Sequence, residues 1–445
     1  MLGAAIVWVG AVAAVETPDP AIFEIESIVL PSPSVTLLLT PQAGRATVSA
    51  QWIFAVGSTD DPPDLQGLHH LLEHVAFARP SAAETEDYDT LLGRLGGESE
   101  GWTDRERMGF GAVVPALLAG GGAEPLLALE AERWAGLVIN AESVTRQARV
   151  LMQESDERMS GAHGADRVLL DSLLWSADAA WALHPWAEPG PAIRAVASGA
   201  ASAVETERLR VAVASAWASL HAPNVAVLAL AGGLNADQVI PLVEPLFGAT
   251  QAASGQSRSQ PPDECEAAAP TRRYTKGSGL DGAIFQAWPV RGREHPDRPA
   301  LELIARWMGG ARTVSGENCG EFVVERRDRQ GRLGVHAAAL TRSLRSLVKT
   351  GLDPGQLRRT AMAQATDYAR ALDDPPLRAR LAAGCWLSAK KASCVRDEMA
   401  LWFGITSGSS QRAAARWLDP GAATTLVLGV RGPGTFPPIF GLSPW

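Results

Sequence analysis

The sequence predicts an α+β protein of two similar α/β-roll domains, each a mixed or antiparallel sheet with helices packed on one face. Three observations lead there. The chain has 445 residues, more than one ordinary core accommodates. Its hydrophobic share of 46% is ample for two packed interiors. The order strand, helix, strand, long helices also occurs on both sides of residues 250–270, a Ser-, Gln-, Ala- and Pro-rich stretch without apolar periodicity. The expected division is therefore a first domain over 24–249, a linker over 250–270 and a second domain over 271–435.

Taken in order, the first residues, MLGAAIVWVGAVAAVE, form an apolar run ending in small residues. They fit a signal peptide over 1–20, although no Lys or Arg precedes the run. A buried first strand or a misplaced start fits the same residues. A signal peptide implies a periplasmic or secreted protein, with a cytoplasmic one as the alternative. No stable membrane span is expected, because no run reaches the roughly 18 to 20 apolar residues required.

Ser34–Leu39 and Arg45–Val56 are β-branched and partly alternating, with turn residues Thr40 to Gly44 between them, so a hairpin is expected. The acidic, Pro-containing stretch Asp60–Asp64 ends the second strand. Apolar Leu68, Leu71, Leu72 and Val75 then resume at helical period. Helices follow over Ala123–Val138 and over Ala141–Met159, the latter capped by Asn140. Val225–Leu230 is a short buried strand, followed by a helix over 236–247. Beyond the linker come a strand over Ala283–Val290, a helix over Pro299–Met308 ending at two glycines, and a long helix over Pro354–Ala371.

Charge narrows the function. A net charge of −9 and a pI near 5.5 leave no basic face for a polyanion, so no nucleic-acid partner is expected. Cys265, Cys319, Cys385 and Cys394 lie far apart without CxxC spacing, which excludes a zinc ribbon. Two disulfides in any of three pairings, or buried free thiols, remain open.

Three of the chain's 8 histidines fall in the stretch GLHHLLEHVAF. On a helix, positions i, i+3 and i+4 share a face, so His70, Glu73 and His74 point to one place, while His69 is turned away by about 100°. Two imidazoles one turn apart can supply two ligands to zinc, and Glu73 then stands beside the ion as a proton acceptor. This is the HxxEH, or inverzincin, order. A solvent-facing helix with clustered histidines is the plain alternative.

The run from Gly57-Ser58 through the acidic turn to Gly67-Leu68-His69-His70-Leu71-Leu72-Glu73-His74 resembles the signature of the pitrilysin, or insulinase-type, zinc peptidases. That family includes two-domain bacterial enzymes and the catalytic subunit of the mitochondrial processing peptidase. Gly96–Thr103 is similar to its G-G-x-x-N-A-x-T stretch, and Val150–Glu154 to the helix segment whose Glu is a zinc ligand. His184-Pro185-Trp186 and Ala222–Leu228 also resemble family stretches, and Gly331–Val335 falls where a Gly-Leu-x-Tyr stretch is expected.

The resemblance implies a duplicated metallopeptidase-like fold, with an inactive second domain and one Zn2+ per chain. His70, His74 and Glu154 would be its ligands and Glu73 the general base. Peptide substrates would be short or unfolded, and the chain would form a homo- or heterodimer with a related chain. The other outcome is a catalytically weak peptide-binding or assembly subunit.

Three departures stand out. Gln147 replaces a Glu seven residues before Glu154. Glu100 stands where the family has Asn and would add charge near the substrate path; a loop side chain turned to solvent is the alternative. The family's second-domain Arg and Tyr have weak counterparts: Arg327 or Arg329 for the Arg, in a charged run that also reads as surface, and Gly334 or Val335 where the Tyr is expected. Tyr88, Tyr274 and Tyr368 lie elsewhere, so either activity is low, His336 substitutes, or a partner chain supplies the missing groups.

Overall fold

The computed structural model describes residues 26–29, 35–78, 86–117, 122–161, 164–177, 179–222, 225–248, 265–276, 282–328, 332–391 and 394–429. The stretch read as a signal peptide and most of 250–270 lie outside these residues. Among the described residues no helix is long and apolar enough to cross a membrane.

Two sheets organise the chain. The first contains β1 (Glu26–Val29), β2 (Thr36–Pro41), β3 (Thr47–Phe54), β4 (Glu98–Thr103), β5 (Met108–Pro115) and β6 (Ala226–Gly232) in the order β1-β2-β6-β3-β5-β4. The second contains β7 (Arg272–Lys276), β8 (Gly282–Arg291), β9 (Ala311–Ser315), β10 (Cys319–Asp328) and β11 (Thr424–Gly429) in the order β7-β11-β8-β10-β9.

Without β1, the two orders are the same permutation of five strands. The pairing senses agree as well: the first pair, β2 with β6 or β7 with β11, is parallel and the remaining pairs are antiparallel. The duplication expected from element order is thus a duplication of topology. The expected β2 and β3 are not paired as a hairpin, because β6 inserts between them.

Each sheet packs its own helices on one face. In the first, Ala50, Trp52 and Phe54 of β3 and Leu228 and Leu230 of β6 join a core with Leu71, Leu72 and Val75. The side chains of alternate strand residues face oppositely, and the second face is not left to solvent. Ile53, Val227, Ala229 and Ala231 pack into the core of the other half, with Ala379, Ala382 and Ala383 of the helix Pro375–Ala389. Reciprocally, Leu170 and Leu174 of the helix Gly164–Leu174 pack with Phe285, Val323 and Leu426 of the second sheet. The expectation of helices on one face therefore holds for each half's own helices, and each opposite face is covered by a helix from the other half.

The four cysteines pair as Cys265–Cys319 and Cys385–Cys394. The first pins the end of the connecting segment to the start of β10.

Candidate metal centre

The helix Leu68–Ala76 begins at Gly67, whose φ of 87° is a left-handed conformation that glycine adopts without a Cβ penalty. Asp61 organises this start. Its Oδ2 accepts from the Gly67 amide at 2.7 Å, and its Oδ1 accepts from the His69 amide at 3.0 Å and meets His69 Nδ1 at 2.6 Å. His69 thus stays out of the HxxEH face, as its angular offset requires, yet it is buried and locks the helix to the preceding turn.

Leu71, Leu72 and Val75 anchor the helix in the first core, which turns His70, Glu73 and His74 toward the helix Ala141–Ser160 and strand β4. His70 Nε2 and His74 Nε2 are 3.3 Å apart. Glu154, from the longer helix, brings Oε2 to 3.7 Å from His70 Nε2 and Oε1 to 3.8 Å from His74 Nε2. Ligand bonds of about 2.0–2.1 Å at tetrahedral angles put donors about 3.3–3.4 Å apart. The His70–His74 separation already matches, and a movement of the half-exposed Glu154 carboxylate by about 0.4 Å would close the triangle around a zinc-sized ion; the three side chains form a group able to hold a metal.

The surroundings suit that use. His70 is hydrogen-bonded to the Pro185 backbone carbonyl, which leaves Nε2 free to face the other donors. Burial, with help from His74 and Arg158, pushes His70 down to about 3, and burial also lowers His74. Both rings are then neutral near pH 7, the form that binds a metal. Arg158 lies 3.2 Å from Glu154 Oε2 and over the Trp186 ring.

Glu73 lies within the site without closing the donor triangle. Burial raises its carboxyl to about 7; the 2.6 Å hydrogen bond from the Thr103 hydroxyl opposes this, and Glu154 adds to it. Gly101 makes room for it, since a Cβ there would sit 2.7 Å from Glu73 Oε1. A cavity of about 600 Å3 opens beside Glu73, His74 and Glu154, with Gln147 on its wall.

Other predicted residues are placed differently. Glu100 borders this cavity from a β-strand, not a loop. Its carboxylate is engaged across the sheet by Arg380 at 2.6 Å and Gln51 at 3.1 Å, which ties β4 to the second half and neutralises the expected extra charge. Arg327 does not reach toward the centre: Glu325 holds its Nε at 2.5 Å, Asp166 lies 3.5 Å from Nη2, and the guanidinium covers Phe285. His336 is hydrogen-bonded to Asp328 at 2.9 Å. Arg329 and Gly331 lie outside the described residues, and Leu333–Val335 open the helix Leu333–Thr350. Tyr88 donates to Glu130 and Tyr368 to the Val395 carbonyl, so neither hydroxyl reaches the centre.

Asp61, Thr103, Pro185 and Arg158 were not given roles by sequence. Only Arg158 carried a direct signal, being four residues after Glu154 on one helix.

Comparisons with known proteins agree with this architecture. The family described as Insulinase (Peptidase family M16) matches residues 37–156, and the Peptidase M16 inactive domain matches residues 212–359. No curated protein sequence matches the chain. Among solved structures, a protease from Helicobacter pylori is similar at TM-score 0.75 and 15% identity, covering 91% of this chain and 99% of that one. A peptidase M16 inactive domain from Pseudomonas fluorescens is similar at 0.71 and 14% identity, covering 91% and 97%. The periplasmic protease PqqL from Escherichia coli is similar at 0.73 and 13% identity, covering 92% of this chain and 48% of that one. At these identities the structural likeness speaks for the fold. Together with the two sequence matches, it establishes that the chain belongs to the insulinase, or M16, peptidase family.

Proposed function

We propose that the protein is a zinc-dependent peptidase that hydrolyses short or unfolded peptides, with His70, His74 and Glu154 as ligands of one zinc per chain and Glu73 as general base. The observation that carries this reading is the donor triangle of 3.3, 3.7 and 3.8 Å with a buried carboxylate beside it on the same helix. Bound zinc supplies Lewis acidity for the scissile carbonyl and for water.

The chain's own groups do the rest. Glu73 accepts a proton from the attacking water and returns it to the leaving amine, and a carboxyl held near 7 is suited to both transfers. Thr103 fixes its orientation. Strand β4 ends the first sheet next to Glu73, so an extended peptide can add to it by main-chain pairing, which favours chain segments without folded structure.

Two disulfides favour an oxidising compartment, periplasmic or secreted, and the similar PqqL is described as periplasmic. The described residues bordering the metal cavity include no tyrosine. That favours, as second reading, a weakly active subunit completed by a related chain in a homo- or heterodimer.

Metal analysis combined with a quenched-peptide assay tests both. About one zinc per chain with cleavage by the protein alone supports the first reading. Zinc without cleavage, restored by a related chain, supports the second, and absence of bound zinc after reconstitution overturns the ligand assignment.

A further inference from the structure

A second cavity, about 420 Å3, lies where the two halves meet. One wall comes from the end of β4 and the turn after it, through Trp102, Asp104 and Arg107. The opposite wall comes from β9, through Arg312 and Val314. By topology β4 and β9 are equivalent, each the terminal strand of its sheet, so the cleft lies between the two corresponding edges of the duplicated fold.

The cleft adjoins the metal centre at three points. Trp102 and Asp104 flank Thr103, which holds Glu73. Pro185 lines the cleft and accepts from His70. Trp186 lines it and lies under Arg158, the partner of Glu154. A strand added to β4 would rise about 3.3 Å per residue and send alternate side chains to opposite faces, so it would pass Glu73 and enter the cleft within a few residues.

The charges of the cleft are unevenly satisfied. Asp171 and Glu321 are occupied by Arg105 and Arg167. Glu317 holds Arg107, and Glu106 accepts from the Trp181 indole and the Glu317 amide. Two cations remain. The Arg293 guanidinium has no direct hydrogen-bond or ion-pair partner among the described residues; burial, then Arg107 and Arg298, lower its pKa against the more distant pull of Glu317 and Glu398, which are themselves held by Arg107 and Arg298. Arg312 has only a 3.6 Å contact with Glu325 and is 43% exposed. Asp104, which lies among Arg105, Arg107 and Arg380, is raised by burial against their pull.

We propose that this cleft is a specificity subsite in which Arg293 and Arg312 take a carboxylate of the bound peptide, with the tryptophan walls flanking the chain. The inference rests on the peptidase reading above. The carboxylate is either an Asp or Glu side chain or a free C-terminus. Arginine suits this because its planar fork binds both oxygens of a carboxylate.

The test uses the zinc-loaded full chain and a matched set of quenched peptides. Glu or Gln is placed in turn at each position near the scissile bond, with a free or amidated C-terminus. At one position Glu is expected to raise kcat/KM over Gln by about 10- to 100-fold, the range of a charge-assisted bond. In Arg312→Gln and Arg293→Met that ratio falls toward one, and the exposed Arg312 provides a variant with little risk to folding. If the preference follows the free C-terminus instead, the terminus is the carboxylate recognised.

Equal cleavage of acidic and neutral peptides, or a preference unchanged in both variants, overturns the subsite while leaving the peptidase reading in place. If no peptide is cleaved, and none binds zinc-loaded Glu73→Gln, the peptidase reading fails and the subsite with it.

Discussion

The Thr103 hydroxyl donates a 2.6 Å hydrogen bond to Glu73 Oε2, joining the last residue of strand β4 to the helix that carries His70 and His74. Burial raises the Glu73 carboxyl to about 7 and this bond works against the rise. A general base must be ionised to accept a proton, so activity increases with pH through the carboxyl's pKa. Thr103→Val is expected to move the acid limb of the kcat/KM profile upward by about half to one unit, the equivalent of one hydrogen bond. Zinc content should not change. A limb that stays in place would separate Thr103 from the proton transfer.

With Glu73 as the proposed proton carrier and not a ligand, Glu73→Gln is expected to retain zinc and to lose cleavage by about 10² to 10⁴. Metal content and turnover measured on one preparation decide this. Loss of zinc in the variant would make Glu73 a ligand.

The same substitution has a stability consequence in the zinc-free protein. The folded carboxyl is held above its ordinary 4.5, so the folded state binds the proton more tightly than the unfolded chain. Stability associated with this group is fully present below pH 4.5 and declines as pH rises toward 7. Glu73→Gln removes that decline and should stabilise the zinc-free protein by about 3 kcal/mol at pH 8 and by little near pH 4.5. Denaturant melts at the two pH values compare the variants, and an equal effect at both would exclude this origin.

Glu154→Gln is expected to weaken zinc binding by at least about 10-fold, since it replaces the one anionic donor of the triangle by a neutral amide. Competition against a chelator gives the affinity. An unchanged value would require a third ligand other than Glu154.

Cys265 and Cys319 are bonded across 54 positions of sequence. Closing a loop of that length restricts the unfolded chain, and Cys265→Ser with Cys319→Ser should cost about 4 kcal/mol. Urea unfolding measures it, and a melt indifferent to reductant would show that the bridge contributes nothing to stability.

Much of the site was legible because it depends on local geometry. Helical spacing alone brings His70, Glu73 and His74 to one face and turns His69 away, whatever the rest of the chain does. Alternation and turn residues likewise found β3, β6 and β8 to within a few positions. Strands β1, β4, β5, β7, β9, β10 and β11 were not recognised as strands; a Gly-containing, charged stretch such as Glu98–Thr103 has a weak local β signal and is held by its neighbour in the sheet.

What the sequence by itself determined is the HxxEH face and the duplicated order of elements, since each follows from spacing. Family resemblance supplied Glu154, which 79 intervening residues separate from His74. Only the tertiary structure decided the distances within the triangle, the pairing of the cysteines, the Arg380 partner of Glu100 and the distance of Arg327 from any role at the centre. Each depends on which elements pack together, and local sequence does not encode the partner across a sheet. The same holds for the cleft between β4 and β9: its two walls come from stretches far apart in sequence and face each other only because the two halves pack together.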